Sequence, residues 1–183
     1  LHAGTGNVKS VQLILLLYLK TCNVFYQNCE YLHLFKILYS VMMKILDCTL
    51  RDGGYYTNWD FNSETVDAYI QAMNTLPIDY IELGYRNNST KEYMGKFGYS
   101  PVSVLQHIRK TCKKKLDVML NEKSTKPKDL DALLTPIVGL VDMIRIAVDP
   151  KNFDRAVILA KAVKAMDFEV GFNVMYMSKW QTE

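Results

Sequence analysis

Five short segments of the chain alternate apolar residues with polar or small ones, which predicts β-strands. The expected strands are 44–50, 79–85, 116–121, 141–148 and 168–175. Because successive side chains of a strand face opposite sides, each strand gains one aliphatic face suited to packing against helices. The opposite faces are small or polar and are expected to point away from those helices.

The segments between the strands carry apolar residues three and four positions apart, as amphipathic helices do. Ser63 and Asn152 are expected to cap two of these helices, and Ser100-Pro101 is a cap followed by a first-turn proline. Pro127 is expected to open a further, short helix. Strict alternation of strand and helix predicts a parallel sheet with right-handed crossovers.

Glu82 and Arg145 lie on the polar faces of their predicted strands, and so does Asn173. A sheet covered by helices on both faces is apolar throughout, whereas a barrel lumen can carry polar side chains near its functional end. Unpaired burial of charge is costly, so Glu82 and Arg145 are expected to meet each other, a metal or a ligand. An inward ion-pair network without chemistry is the alternative.

The predicted fold class is therefore α/β, the N-terminal part of a (β/α)8 TIM barrel with about five strands and four helices. A complete barrel of this type needs about 250 residues, so the chain is expected to be truncated. A complete flavodoxin-like sheet of five strands is the alternative. It is disfavoured because no phosphate loop follows the first strand, and because Glu82 and Arg145 would lie beneath helices.

Residues 1–42 differ in composition from the rest of the chain, with much Leu, Tyr, Val and Phe, few charges and no clean period. We expect them to be an N-terminal extension, from upstream translation or cloning, with the natural start at Met43 or Met42. The alternative is a genuine helical extension that covers the bottom of the domain. The remaining residues, 43–183, are the predicted partial catalytic domain.

Net charge, the length of the apolar runs and the cysteine pattern limit the kinds of partner and cellular setting that we expect. The 183 residues hold 22 Lys+Arg against 19 Asp+Glu, a net charge of +3 that is too small for a dedicated nucleic-acid binder. The longest apolar run, 11–19, is shorter than the about 20 residues of a membrane span, so no membrane partner is expected. The four cysteines include no C-x-x-C pair and predict free thiols in a reducing, cytoplasmic setting.

The most informative stretch is Asp47-Cys48-Thr49-Leu50-Arg51-Asp52-Gly53-Gly54, called here the 47–54 motif. It is expected to leave the first strand and enter a loop whose glycines let a ligand approach closely. A carboxylate such as Asp52 can hold a divalent cation, and an adjacent guanidinium such as Arg51 can stabilise an oxyanion. A merely structural turn is the alternative.

This motif resembles the one at the end of the first barrel strand in the metal-dependent aldolase and acyltransferase superfamily. Members include 4-hydroxy-2-oxovalerate aldolase, 3-hydroxy-3-methylglutaryl-CoA lyase, isopropylmalate synthase and homocitrate synthase. The resemblance continues through Ile-Glu-Leu-Gly at 81–84, Ile-Arg-Ile-Ala at 144–147 and Gly-Phe-Asn at 171–173. It spans 43–183 and is strongest toward the hydroxy-oxovalerate aldolases.

The resemblance implies a carbon–carbon lyase that cleaves a 4-hydroxy-2-oxo acid into a 2-oxo acid and an aldehyde through a metal-stabilised pyruvate enolate. Asp52 matches the ligand of a Mn or Mg ion, and Arg51 matches the arginine that stabilises the enolate oxygen. Glu82 matches a second-strand acid of the lyase branch. Arg145 and Asn173 are expected to contact substrate.

Two departures from the family pattern matter. Tyr55 stands where the hydroxy-oxovalerate aldolases carry a histidine base, and an unperturbed tyrosine, with a pKa near 10, is a poor base. Tyr55 nevertheless stays a candidate catalytic residue by position. The family also completes its metal site with a His-x-His pair, whereas His2, His33 and His107 are isolated, and His107 is expected on a helix surface. The metal site is therefore expected to be incomplete and the chain inactive alone.

Two rival functions stay open. The first is a Claisen-type acyltransferase or an acyl-CoA lyase of the same superfamily, acting on acyl-CoA instead of a 4-hydroxy-2-oxo acid. The second is a non-catalytic barrel fragment that self-associates through its open strand edges as a homo-oligomer.

Overall fold

The computed structural model of the protein describes residues 43–88 and 93–179. Ile45–Glu183 forms one unit of the chain and Leu1–Lys44 another. The predicted N-terminal extension, 1–42, lies outside the described residues, and its origin stays a prediction.

Five parallel strands form one sheet, in the order β1-β2-β3-β4-β5. The first, β1, is shorter than the predicted segment 44–50, because the chain turns into a helix two residues after it ends. The strands are β1 Leu46–Asp47, β2 Tyr80–Tyr85, β3 Lys115–Asn121, β4 Met143–Val148 and β5 Glu169–Val174.

All four predicted helices are present, and the described residues hold two more that were not predicted, α1 and α3. None of the described helices combines the length and apolarity that a membrane span requires. The α-helices are α1 Thr49–Thr57, α2 Ser63–Thr75, α3 Lys96–Tyr99, α4 Val102–Arg109, α5 Leu130–Leu134 and α6 Phe153–Ala165.

The predicted caps of α2 and α4 are wrong, because each of these helices starts where the backbone leaves its extended conformation. Asn62 is extended and its side chain accepts the Glu64 N–H at 2.8 Å, so Asn62 caps α2 and Ser63 is already helical. Pro101, also extended, precedes α4. Ser100 instead is the C-terminal cap of α3 in the left-handed conformation, with φ 42, and its N–H donates to the Lys96 carbonyl at 2.8 Å.

Two further helices begin with a 3-10 turn, Pro127–Asp129 before α5 and Pro150–Asn152 before α6. Proline fits the first position of such a turn because its missing N–H would have no partner there. Asp149 accepts the Lys151 N–H at 3.1 Å, and Asn152 makes no capping bond with its side chain. Asp149, not Asn152, therefore provides the cap.

The aliphatic faces of the strands pack against the helices, as the alternation predicts. Each Leu or Ile buried there contributes about 1.5–3 kcal/mol relative to exposure. The core of the described residues includes Ile81, Leu83, Leu116, Val118, Leu120, Ile144, Ile146 and Val148 from strands, and Val66, Ile70, Leu105, Ile108, Leu134, Leu159 and Val163 from helices.

The other face of the sheet is concave. Tyr80 on β2 donates its hydroxyl to Glu169 on β5, across two intervening strands. On a flat sheet these strands would lie about 14 Å apart, farther than two side chains of one face can bridge. The sheet is therefore curled into a half-barrel, and its sequential order differs from the 2-1-3-4-5 order of flavodoxin-like sheets. The fold is α/β with a partial barrel, and the flavodoxin alternative is wrong.

A bulge in β2 changes which side chains enter the lumen. Glu82 pairs with Asp117 and Tyr85 pairs with Met119, so three residues of β2 advance along two of β3. The extra residue brings Tyr85 to the same face as Glu82, against Met119 and Ala147. Strict alternation along β2, on which the sequence prediction relied, fails after Glu82.

Gly84 lies in this bulge for a steric reason. A Cβ at Gly84 would come within 2.0 Å of the Phe97 carbonyl oxygen on α3. Only glycine lets α3 approach β2 so closely. This contact fixes α3 beside the C-terminal end of the sheet.

Candidate functional site

The 47–54 motif starts helix α1 instead of the predicted loop. The Asp52 N–H donates to the Cys48 carbonyl at 2.9 Å, which is the first helical bond. Asp47 accepts the backbone N–H of Thr49 at 3.0 Å and its hydroxyl at 3.2 Å. The Asp47 carboxylate thus stabilises the start of the helix, where a negative charge is favourable. The loop prediction is wrong because the bonds of Asp47 to Thr49 let a helix begin directly after the strand.

Arg51 and Asp52 occupy the first turn of α1 at the C-terminal end of the sheet and point in different directions. Arg51 is 8% exposed and turns into the lumen, whereas the Asp52 side chain is 61% exposed. The two side chains form an ion pair. Arg51 also donates through Nε to Oε1 of Glu82 at 2.5 Å. Helix α1 therefore places a cation in the lumen with a carboxylate at its rim.

Glu82 is the centre of the polar lumen. It is fully buried, and Arg145 Nη1 donates to its two carboxylate oxygens at 3.1 and 3.0 Å. Burial raises the pKa of Glu82, but the hydrogen bonds from Arg51 and Asp117 and the charges of the two arginines outweigh it and lower that pKa below its ordinary value. Glu82 is ionised between two cations. The prediction that Glu82 and Arg145 meet is confirmed.

Arg145 extends this network toward β5 and β1. Its Nη2 donates to Oδ1 of Asn173 at 3.1 Å, and its Nη1 lies 3.5 Å from Sγ of Cys48. Burial, and then the charge of Glu82, raise the pKa of the Cys48 thiol to about 11, so the thiol is neutral. The contact of Asn173 with Arg145 was not predicted from the sequence, and contact of Glu82, Arg145 and Asn173 with substrate stays a prediction.

Tyr55 lies in an aromatic cluster at the rim. Its side chain is 60% exposed, and its hydroxyl is 2.7 Å from that of Tyr85. Trp59 packs edge-on against both rings, with centroids 4.8 and 5.6 Å away. Burial, and then the bond with Tyr55, raise the pKa of Tyr85. A base role for Tyr55 stays a prediction.

Glycine is required at position 54 because Trp59 packs there, and not, as expected from the sequence, to let a ligand approach. A Cβ at Gly54 would lie 2.0 Å from a ring carbon of Trp59, whereas a Cβ at Gly53 would make only ordinary contact, at 3.7 Å, with Phe61. Trp59 also donates its indole N–H to the Arg51 carbonyl at 3.1 Å. The glycine lets Trp59 lie on α1 and hold the backbone of Arg51.

Sequence analysis missed Asp117, a fully buried acid on β3. It pairs in register with Glu82 and shares a hydrogen bond with it, and in the described part of the chain no cationic side chain forms an ion pair with Asp117. Burial, and then the charge of Glu82, raise the pKa of Asp117 well above its usual range. The signal for it was a single acid between Leu116 and Val118 in an otherwise apolar strand.

The expected metal site is present only as one carboxylate, Asp52. Within residues 43–88 and 93–179, no group of three or more His, Cys, Asp or Glu side chains could hold a metal ion. His107 lies on α4, 2.9 Å from Asp67, with its side chain 58% exposed, as predicted. His2 and His33 lie outside the described residues. The metal stays a prediction.

Fold and site together define an α/β half-barrel whose lumen holds two arginines on one buried glutamate. The chain is similar to a solved structure described as "the N-terminal domain of a putative aldolase from Bacteroides vulgatus", with 75% identity and a TM-score of 0.74. The match covers 75% of this chain and 46% of that one, so the chain spans about half the length of this neighbour. No protein-family model and no curated protein matches the sequence. The likeness supports an aldolase-like family.

Proposed function

We propose that the protein is the N-terminal half of a carbon–carbon lyase that cleaves a 4-hydroxy-2-oxo acid into a 2-oxo acid and an aldehyde. The observation that carries the proposal is the placement of Arg51. Its guanidinium is held in the lumen by Glu82 at 2.5 Å, at the end of the sheet where barrel enzymes have their active sites. The similarity to an aldolase domain supports the same chemistry.

Arg51 supplies positive charge where an enolate oxygen would develop. Burial lowers its pKa, but the hydrogen bond and charge of Glu82 outweigh burial and raise it, so Arg51 is a permanent cation. Because Glu82 already fixes the guanidinium, little reorganisation is needed when charge forms. Removal of one such preorganised donor costs about 2.7–4 kcal/mol of transition-state stabilisation.

Asp52 fits one position of a Mn or Mg site, because its exposed carboxylate is an oxygen ligand of the kind these ions prefer. When bound, such an ion would polarise the carbonyl of the 2-oxo acid as a Lewis acid. One carboxylate is too few ligands. We propose that the remaining ligands come from parts of the complete barrel outside the described residues.

Arg145 and Asn173 are proposed to orient the substrate carboxylate. Arg145 is anchored by Glu82, and its Nη2 reaches Asn173 near the C-terminal end of β5. Tyr55, whose hydroxyl is paired with Tyr85, stays the candidate that accepts the proton of the 4-hydroxyl group. Both assignments follow from position at the rim.

The test measures pyruvate released from 4-hydroxy-2-oxovalerate in the presence of Mn²⁺. The chain is assayed alone and joined to the part of the Bacteroides vulgatus chain that the match leaves uncovered. We expect release from the joined protein, and a loss of about 100-fold or more in Arg51→Met. The matched control is Arg109→Met, because Arg109 pairs with Asp142 outside the lumen.

Other results would favour the rival functions. Release of free CoA from acetyl-CoA or from an acyl-CoA substrate, without pyruvate from 4-hydroxy-2-oxovalerate, would indicate the acyltransferase or acyl-CoA lyase branch. Absence of either product from the joined protein would contradict the proposed lyase and favour a non-catalytic fragment.

A further inference from the structure

Asp117 is a fully buried acid that the proposed reaction leaves unused. It pairs in register with Glu82 on the neighbouring strand, and parallel strands lie about 4.8 Å apart. The two carboxyl groups are therefore side by side. The Asp117 carboxyl group shares a hydrogen bond with Glu82, and no cationic side chain of the described ranges forms an ion pair with it.

Both lumen arginines bind Glu82 and neither binds Asp117. Arg51 Nε lies 2.5 Å and Arg145 Nη1 3.0 Å from Glu82 oxygens. An ionised carboxylate without a partner is strongly disfavoured inside a protein, more so beside a second carboxylate. Burial, and then Glu82, accordingly raise the pKa of Asp117.

The charges of the lumen balance when Asp117 is neutral. Arg51 and Arg145 carry two positive charges, which Glu82 inside and Asp52 at the rim offset. Ionisation of Asp117 would leave an excess negative charge in the most buried part of this network. On β4, the residue in register with Asp117 is the uncharged Met143. Two charged groups face Asp117, Glu82 from β2 and Arg145 from β4. Arg51 and Cys48 lie beyond these two groups. The other titratable side chains of the lumen lie toward the N-terminal ends of the strands, and they are Tyr80, Lys115 and Glu169.

We propose that Asp117 keeps its proton in the folded protein and acts as a positioning residue. By staying neutral it leaves Glu82 as the single anion between Arg51 and Arg145, so the Arg51 guanidinium stays in the lumen, where it also pairs with Asp52 at the rim. An ionised Asp117 would offer Arg145 a second acceptor and loosen its hold on Glu82. The inference rests on the proposed function only in naming Arg51 as the group that is positioned.

The first test follows the protonation of Asp117 directly. In the chain with ¹³C-labelled aspartate, the side-chain carboxyl signals are recorded from about pH 4 to about pH 8, and Asp117→Asn identifies the Asp117 signal. We expect this signal to keep its protonated position at pH values well above about 3.9, the pKa of an aspartate in a model peptide. Loss of the Asp117 proton near about pH 4 would overturn the proposal.

The second test asks whether the side chain at position 117 holds Glu82 in its bond with Arg51. The Nε proton of Arg51 reports the bond to Glu82, and its exchange with water is measured in three proteins. We expect Asp117→Asn, which is neutral and of the same shape, to keep the slow exchange of the wild type. Asp117→Ala is expected to exchange about tenfold faster or more, because the neighbour that fixes Glu82 is gone.

Two results of this second test would contradict the inference. One is an Arg51 signal that Asp117→Ala leaves unchanged, and the other is an Asn variant that exchanges as fast as the Ala variant. If Asp117→Ala does not fold, the carboxyl titration of the wild type, with Asp117→Asn to assign the signal, still tests whether Asp117 keeps its proton. Neither measurement needs turnover, so failure here is distinct from failure to release pyruvate.

Discussion

Two ion clusters occupy the same lumen and differ mainly in burial. The upper cluster joins Arg51 and Arg145 to the fully buried Glu82. The lower cluster, near the N-terminal ends of the strands, joins Lys115 to Glu169, and these side chains are 49% and 41% exposed. Water screens the lower pair, so its expected contribution is small, whereas breaking the buried cluster leaves uncompensated charge. Burial therefore holds the Arg51 guanidinium of the upper cluster in place more firmly than it holds the lower pair.

The largest expected effect comes from removing the upper anion. Glu82→Gln leaves Arg145 without its counter-charge and Arg51 with only the exposed Asp52, so we expect a loss of about 3–5 kcal/mol in the free energy of unfolding. Urea denaturation measures it. Glu169→Gln is the matched control in the lower cluster and is expected to lose less than about 1 kcal/mol. Equal losses in the two variants would contradict the comparison.

Variants of Gly53 and Gly54 test whether the packing of Trp59 on α1 stabilises the helix that carries Arg51. Gly54→Ala places a methyl group where Trp59 now lies, and we expect a loss of about 1–3 kcal/mol. In Gly53→Ala the added methyl group would make only an ordinary van der Waals contact with Phe61, at 3.7 Å. Because alanine has the higher helix propensity, we expect this variant to be neutral or stabilising by up to about 1 kcal/mol. Thermal unfolding distinguishes the two. A Gly54→Ala protein as stable as Gly53→Ala would refute the packing role of Trp59.

The pH dependence of stability should differ in sign between Asp117, beside the upper cluster, and Glu169 in the lower cluster. The pKa of Asp117 is raised on folding, so the stability it contributes is present below about pH 4 and is lost as pH rises through its folded value. Asp117→Asn should therefore become more stable relative to the wild type as pH rises. The pKa of Glu169 is lowered, so the stability it contributes is present above about pH 4, and Glu169→Gln should lose stability there.

Unfolding curves of both variants across this pH range check the two signs. An Asp117→Asn protein whose difference from the wild type does not change with pH would contradict the assignment for the upper cluster. The Glu169 effect is expected to be the smaller one, because that side chain is screened by water.

The smallest expected effect is the pair energy of the lower cluster. A double-mutant cycle on Lys115→Met and Glu169→Gln is expected to give about 0.2–1 kcal/mol, decreasing with added salt. Urea denaturation at low and high salt measures it. A coupling as large as that of a buried pair would show that the comparison by burial is wrong.

Much of the fold was predictable because it follows from local patterns. Five strands and four helices were placed by apolar spacing, and the meeting of Glu82 with Arg145 followed from the energetic need to pair buried charge. The start of α1 was not predictable in the same way. It depends on the hydrogen bond from the Thr49 N–H to the Asp47 side chain, which is formed where the strand gives way to the helix. The spacing of apolar residues contains no information about this bond.

The remaining misses depend on contacts between distant parts of the chain. Tyr85 enters the lumen through a bulge at Gly84, whose shape is set by the close approach of Phe97 on α3. The protonation of Asp117 depends on Glu82, a neighbour on another strand. A single sequence carries neither contact explicitly.

The central claim is that Arg51 and Asp52 form the enolate-binding end of a lyase. The most direct measurement is calorimetric binding of oxalate, a planar dianion that resembles the pyruvate enolate, to the joined protein with Mn²⁺. We predict binding that weakens by about 100-fold or more in Arg51→Met and in Asp52→Asn, and that Arg109→Met leaves unchanged. Equal oxalate affinity in the wild type and the Arg51 and Asp52 variants would contradict the account.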